Sequence, residues 1–261
     1  MQSEQSTPPI SGFGMQQEEF SLLDFVLIYA IYFTSGVLLF GLSGFFFPNP
    51  QGSTKVLVIL WMTLLSNGIC VLAFLWMGRL RDRRTWAELG LSWPGWGTAL
   101  KWSLIFFPIT LGFSVVYGLI LKYLLHLPTP TQQVATYFHY EHPLWIRMFA
   151  LFVVIVSAPL TEELIYRGIL HRALRQRFPF VLAASMSGLI FGLVHFELQA
   201  LVPLVFLGFM FAFVYEKTRS LPLAMFLHAV NNTLAFLLVM FREATQDINT
   251  YQWILWEWVV W

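Results

Sequence analysis

Long apolar runs, separated by short polar stretches, constrain this chain more than any other feature. Crossing about 30 Å of hydrocarbon as a helix takes roughly 17–25 mostly apolar residues. Runs that long, or nearly so, fall at 21–47, 56–77, 98–124, 146–170, 181–197, 200–215 and 222–241. The fifth and sixth are short and poorly separated, so they read as tilted helices or as a broken pair. The expected fold is all-α, a polytopic transmembrane bundle of about seven or eight helices with a polar cavity in the membrane.

Composition supports the same class. The 261 residues are 57% hydrophobic and 11% charged, with a mean hydropathy of +0.67. A soluble domain carries about 25% charged residues. The net charge of +1, with basic residues scattered rather than striped, gives nucleic acid no footprint. The single cysteine, Cys70, excludes an intramolecular disulfide and a thiolate metal cage, and reads as a small buried hydrophobe. Eleven tryptophans and 26 phenylalanines suit interfacial aromatic belts.

Four regions follow along the chain. Residues 1–19 are polar and acidic, lack a basic n-region, and are expected to form a flexible tail rather than a signal peptide. Residues 20–84 form N-terminal transmembrane helices, and 85–241 the core that carries the polar motifs. Residues 242–261 end in YQWILWEWVVW, too short to span and Trp-rich, hence interfacial. With the N-terminus in the cytoplasm, the inside loops receive Arg79, Arg81, Arg83, Arg84, Lys101, Arg167, Arg172, Arg175, Arg177, Lys217 and Arg219. Only Lys55, Lys122, Arg147 and Arg242 then fall outside, as the positive-inside rule favours. The expected location is the plasma (inner) membrane, and the partners are membrane lipid and a peptide or membrane-protein substrate. His139 and His142 lie in the outer loop near no other candidate ligand and read as surface histidines.

Three segments place polar groups where lipid composition predicts none. The first is Glu162, Glu163 and Arg167, after the apolar run from Met148 to Leu160. An ionisable group at membrane depth costs at least ~2.5–3.5 kcal/mol, and two adjacent carboxylates are harder still to keep ionised. Glu163 and Arg167 are i, i+4 and can pair along one face. Glu162 is turned about 100° away and points to another partner. Pro159 can kink the helix and free a backbone carbonyl. A structural Glu–Arg clamp would explain Glu163 and Arg167 but leave Glu162 without a role.

The second segment, Phe191 to His195, ends an apolar run on an imidazole, which reads as a hydrogen-bonded core residue or a catalyst. The third sets His228 and Asn232 at i, i+4 on the last strong span. They form either an interhelical hydrogen-bonding pair or a joint presentation of imidazole and carboxamide into a cavity. Together the segments supply a carboxylate base, imidazoles and donors for an oxyanion, the parts of an activated-water hydrolase. Ser157, Ser185 and Ser187 lack the nucleophile-elbow context that would offer a serine instead.

The patterns E-E-x-x-x-R (Glu162, Glu163, Arg167), F-x-x-x-H (Phe191, His195) and H-x-x-x-N (His228, Asn232) resemble the CAAX protease and bacteriocin-processing family. These are the CPBP or Abi proteins, related to type II CAAX prenyl endopeptidases. The resemblance extends from about Thr85 to Met240 and implies an intramembrane endopeptidase whose site opens to the cytoplasmic side. It implies Glu162 as the base that activates water, His195 as its assistant, and His228 and Asn232 as oxyanion donors. Glu163 and Arg167 would support them. Family members have also been described as metalloproteases, for which Glu162, His195 and His228 would be a plausible zinc set. The chain lacks the H-E-x-x-H helix, so a metal-free mechanism without cofactor is expected, with zinc as the alternative. Two rival functions remain: a catalytically silent immunity or scaffold protein, and a proton-coupled transporter using the Glu/His chain as relay. No inverted repeat supports the transporter.

Overall fold

The computed structural model describes residues 20–126, 142–198 and 200–245, with side chains to residue 237. The tail 1–19, His139 and the Trp-rich segment 251–261 lie outside the described residues. Among the described residues every regular element is helical. The helices are α1 (Leu22–Phe46), α2 (Gly52–Arg81), α3 (Trp96–Leu124), α4 (Leu144–Arg175), α5 (Phe180–Leu193), α6 (Leu201–Thr218) and α7 (Leu221–Thr245). Five of them, α1 to α4 and α6, are long and apolar enough to cross a membrane, so the protein is an integral, multi-pass membrane protein. Each of the seven expected spans holds one of these helices.

The fifth span ends at Leu193, four residues short of the expected boundary. At about 1.5 Å per residue its 14 residues reach only about 21 Å. Phe196, at φ 55°, leaves the helical region, and the chain turns into α6. Spans five and six are thus two separate helices, α5 and α6, joined by a short turn. The pair is held by small residues. A Cβ on Gly188 would lie 2.6 Å from the Val205 carbonyl oxygen, and one on Gly208 would lie 2.8 Å from the Gly188 Cα. Only glycine lets the two backbones approach this closely, the usual way helices pair where burial from water gives no drive.

One end of the bundle is tied by polar contacts between helix ends. Ser21 and Asp24 form a capping box at the start of α1, and Asp24 also takes Arg81 at the end of α2 at 2.7 Å. The Gln176 amide donates to the Phe20 carbonyl at 2.8 Å, and Arg172 donates to that of Glu88 at 2.8 Å. Gly90, at φ 79°, turns the α2–α3 loop so that its carbonyl accepts the Leu221 N–H at 2.8 Å.

Among the described residues three apolar clusters fill the interior, and two of them flank the polar motifs. One gathers Phe20, Phe74, Leu164, Ile165, Tyr166, Ile169 and Phe191; the other gathers Phe106, Phe211, Leu223 and Leu227. The polar motifs sit where the clusters meet, since Phe191 and Phe211 are 6.5 Å apart between ring centres.

Candidate active site

Helix α4 carries the carboxylates and is not a uniform α-helix. It passes through π-helical turns at Val153–Ser157 and Leu164–His171, on either side of the α-helical stretch Ala158–Glu163. Single π turns inside helices recur at functional sites because they shift side chains and free backbone groups.

Within that stretch Glu163 is fully buried. Its Oε1 accepts from Arg167 Nη1 at 3.0 Å and from His228 Nδ1 at 2.8 Å. The expected i, i+4 pair is present, and the imidazole of α7 joins it. Arg167 Nη2 also donates to the Gly208 carbonyl at 2.9 Å, and its guanidinium lies over the Phe191 and Phe211 rings at 4.8 and 5.1 Å. A buried cation is tolerated here because a carboxylate, a carbonyl and two aromatic faces surround it.

The division expected between the two glutamates is visible, with one addition. Glu163 is sealed, whereas the Glu162 side chain keeps 26% of its exposure. Since a carboxylate only accepts, the bond to Glu163 puts the proton of His228 on Nδ1. His228 Nε2 then faces Glu162 Oε2 at 3.7 Å, longer than a hydrogen bond. One imidazole thus stands between both carboxylates. Phe211 stacks on it at 4.7 Å and 23° and fixes the ring plane.

The remaining motif residues are placed differently. His195 lies in the turn after α5, exposed, with Nδ1 donating to the Phe191 carbonyl at 2.7 Å. That bond leaves Nε2 as the available nitrogen. Its ring lies 4.8 Å from that of Phe191, which also has His228 at 6.0 Å. The two imidazoles flank one phenylalanine, and no direct contact joins His195 to Glu162. Asn232 is one turn beyond His228, and its Nδ2 donates to the Val154 carbonyl of α4 at 2.9 Å. Glu162, Glu163, Arg167 and His228 therefore form one network, with Asn232 and His195 at its margins.

Several contributors gave no signal in the sequence. Phe211 and the Gly208 carbonyl come from an unbroken apolar run. Tyr32 of α1 and Tyr166 of α4 lie near Glu162, and Tyr29 lies near Tyr166. Asn67 of α2 is buried and donates to Ser157 Oγ at 2.9 Å, bracing α4 from its other side. A second buried imidazole, His171, meets Glu216 at 3.1 Å near the tied end of the bundle. Cys70 is a free, buried thiol, as expected.

Among the described residues no three His, Cys, Asp or Glu side chains converge as a metal ion would require. Glu162, His195 and His228 do not form a ligand shell in this geometry.

Fold and site together define a multi-pass helical membrane protein with a carboxylate–imidazole centre between apolar clusters. Residues 143–234 match the family model for "Type II CAAX prenyl endopeptidase Rce1-like". The chain is also similar to "Putative membrane peptidase YdiL" of Bacillus subtilis (strain 168), 36% identical over 98 residues. That alignment spans 36% of this chain and 39% of the relative's length. No solved structure matches. The family resemblance drawn from the three motifs is borne out over 143–234, the segment that contains all of them.

Proposed function

We propose that the protein is an intramembrane endopeptidase that hydrolyses a peptide bond of a membrane-associated protein or peptide with a water activated by Glu162. One observation carries this reading: His228 spends one nitrogen on the buried Glu163 and turns the other toward Glu162. In this scheme the Glu162 carboxylate takes a proton from water as the oxygen attacks the scissile carbonyl. His195 Nε2 helps to hold that water. The carbonyl carbon becomes tetrahedral, and its oxyanion is met by the second amide hydrogen of Asn232 and by His228 Nε2, which holds the proton passed on from Glu162 and gives it back to Glu162 as the centre collapses. Glu163 and Arg167 hold the imidazole in place and balance its charge. The tetrahedral centre then breaks its C–N bond, and Glu162 returns the proton to the departing amine, leaving one carboxylate and one amine product.

The same reading places the N-terminus in the cytoplasm of a plasma (inner) membrane. Arg81, Arg84, Arg172 and Arg175 gather at the tied end with the start of α1, which supports that orientation. No metal or cofactor takes part in the scheme.

The test is hydrolysis by the purified chain in liposomes carrying a library of apolar membrane peptides, run in ¹⁸O-labelled water. Each new C-terminus should gain one heavy oxygen, and Glu162→Gln should cut the rate by about 10²–10⁴-fold, the usual share of a general base. Cleavage that persists undiminished in Glu162→Gln, or no cleavage by the unaltered chain, would refute the proposal.

A further inference from the structure

The π turn before the glutamates has a specific defect in its hydrogen-bond ladder. The Ala158 N–H donates to the Val153 carbonyl, five residues back. In that register the next carbonyl, Val154, looks to residue 159 for its donor. Residue 159 is proline, which has no N–H. Buried carbonyls in lipid must find partners within the protein. Asn232 Nδ2 supplies this one at 2.9 Å from α7. The same α7 face, one turn earlier, carries His228, whose Nδ1 holds Glu163 at 2.8 Å. Two side chains of α7 thus grip α4 on either side of Pro159, one on the backbone before it and one on the carboxylate after it.

We propose that Pro159 and Asn232 are a matched pair. The proline opens one acceptor in the ladder of α4, and the asparagine amide closes it, fixing the height of Glu162 and Glu163 against His228. Asn232 is then a positioning residue through its Val154 bond, whatever its second hydrogen does. The catalytic consequence rests on the peptidase reading, but the pairing itself does not. Supporting contacts brace the same turn: Thr161 Oγ1 donates to the Ser157 carbonyl at 3.0 Å, and Asn67 donates to Ser157 Oγ at 2.9 Å. The turn of α4 around Pro159 is therefore held from outside by two helices, α7 and α2.

The experiment is a double-mutant cycle on the full chain, with Asn232→Ala, Pro159→Ala and both together, read by melting temperature in detergent and by kcat and KM. Asn232→Ala should lower the melting temperature by roughly 2–4 °C, the scale of one lost hydrogen bond. It should lower kcat on the order of tenfold or more, with KM little changed. In the double variant residue 159 regains an N–H, so the loss in melting temperature should shrink by at least half and kcat should recover in part, the remainder being the oxyanion hydrogen that the substitution also removes. Asn232→Leu, close in size but with no donor, should behave like Asn232→Ala. Losses in the double variant equal to the sum of the two single losses would overturn the pairing. If melting shows coupling while no peptide is cleaved by any form, the pairing stands and the peptidase reading fails. If melting shows coupling but Asn232→Ala costs the same in kcat with or without Pro159→Ala, the positioning role is overturned and Asn232 acts only on the oxyanion.

Discussion

Two buried histidines in this bundle each meet a glutamate, and they differ in what surrounds the pair. His171 Nε2 lies 3.1 Å from Glu216 on α6. That carboxylate is also claimed by Arg175 at 3.0 Å, with Arg219 at 3.8 Å. His228 Nδ1 lies 2.8 Å from Glu163, itself claimed by Arg167. So far the two are alike. At His228, however, the second nitrogen faces another carboxylate that retains solvent access, whereas at His171 no second carboxylate is in contact among the described residues. Equivalent imidazole–carboxylate pairs can serve as a tie between helix ends or as half of a reactive centre. The extra, partly open acid separates the two cases.

The comparison can be broken from its strongest side first. Glu163→Ala should strip Arg167 and His228 of their shared partner and leave a cation fully buried, at a cost of about 3–5 kcal/mol. The measurement is the denaturation midpoint in mixed micelles, where a loss below about 1 kcal/mol would show that the network is not what holds α4 to α7. His228→Ala should cost about 10²–10³ in kcat, the scale of a lost oxyanion donor. His171→Ala, by contrast, should leave kcat within about twofold and lower stability by about 1–3 kcal/mol, since Glu216 keeps its arginines. Equal kcat losses in the two variants would show that the two imidazoles do the same work.

How much of this is legible in the sequence depends on the range of the interaction. The spans are readable because lipid imposes length and apolarity on each segment separately. The Glu163–Arg167 pair is readable because i, i+4 is a local rule, and Pro159 is readable as a source of a free carbonyl. What fills that carbonyl is not, because Asn232 lies 78 residues away and nothing local marks the meeting. The His171–Glu216 tie spans 45 residues and escapes notice for the same reason. Hydropathy also does not distinguish lipid-facing from buried helices. The apolar windows of α1 and α4 average 2.1 and 2.0, yet 6% of one and 33% of the other is buried. The apolar run places His195 at the end of a helix, but the residue lies in a turn because α5 stops at Leu193.

Smaller effects sharpen the same contrast. Gly188→Ala should separate α5 from α6 and shift Phe191, since its Cβ would fall 2.6 Å from a backbone oxygen. A destabilisation of about 1–3 kcal/mol is expected, as overpacking costs elsewhere, together with weakened activity. Asp24→Asn removes a partly exposed pair at the tied end and should change stability by about 1 kcal/mol or less, with the rate unaltered.

The most direct test compares the hydrolysis rates of Glu162→Gln and His171→Ala in the same liposomes, each with its melting curve. The account predicts a folded Glu162→Gln protein with about 10²–10⁴-fold less activity, beside a less stable His171→Ala protein that still cleaves at close to the original rate. Comparable rates for the two variants, or an active Glu162→Gln protein, would contradict it.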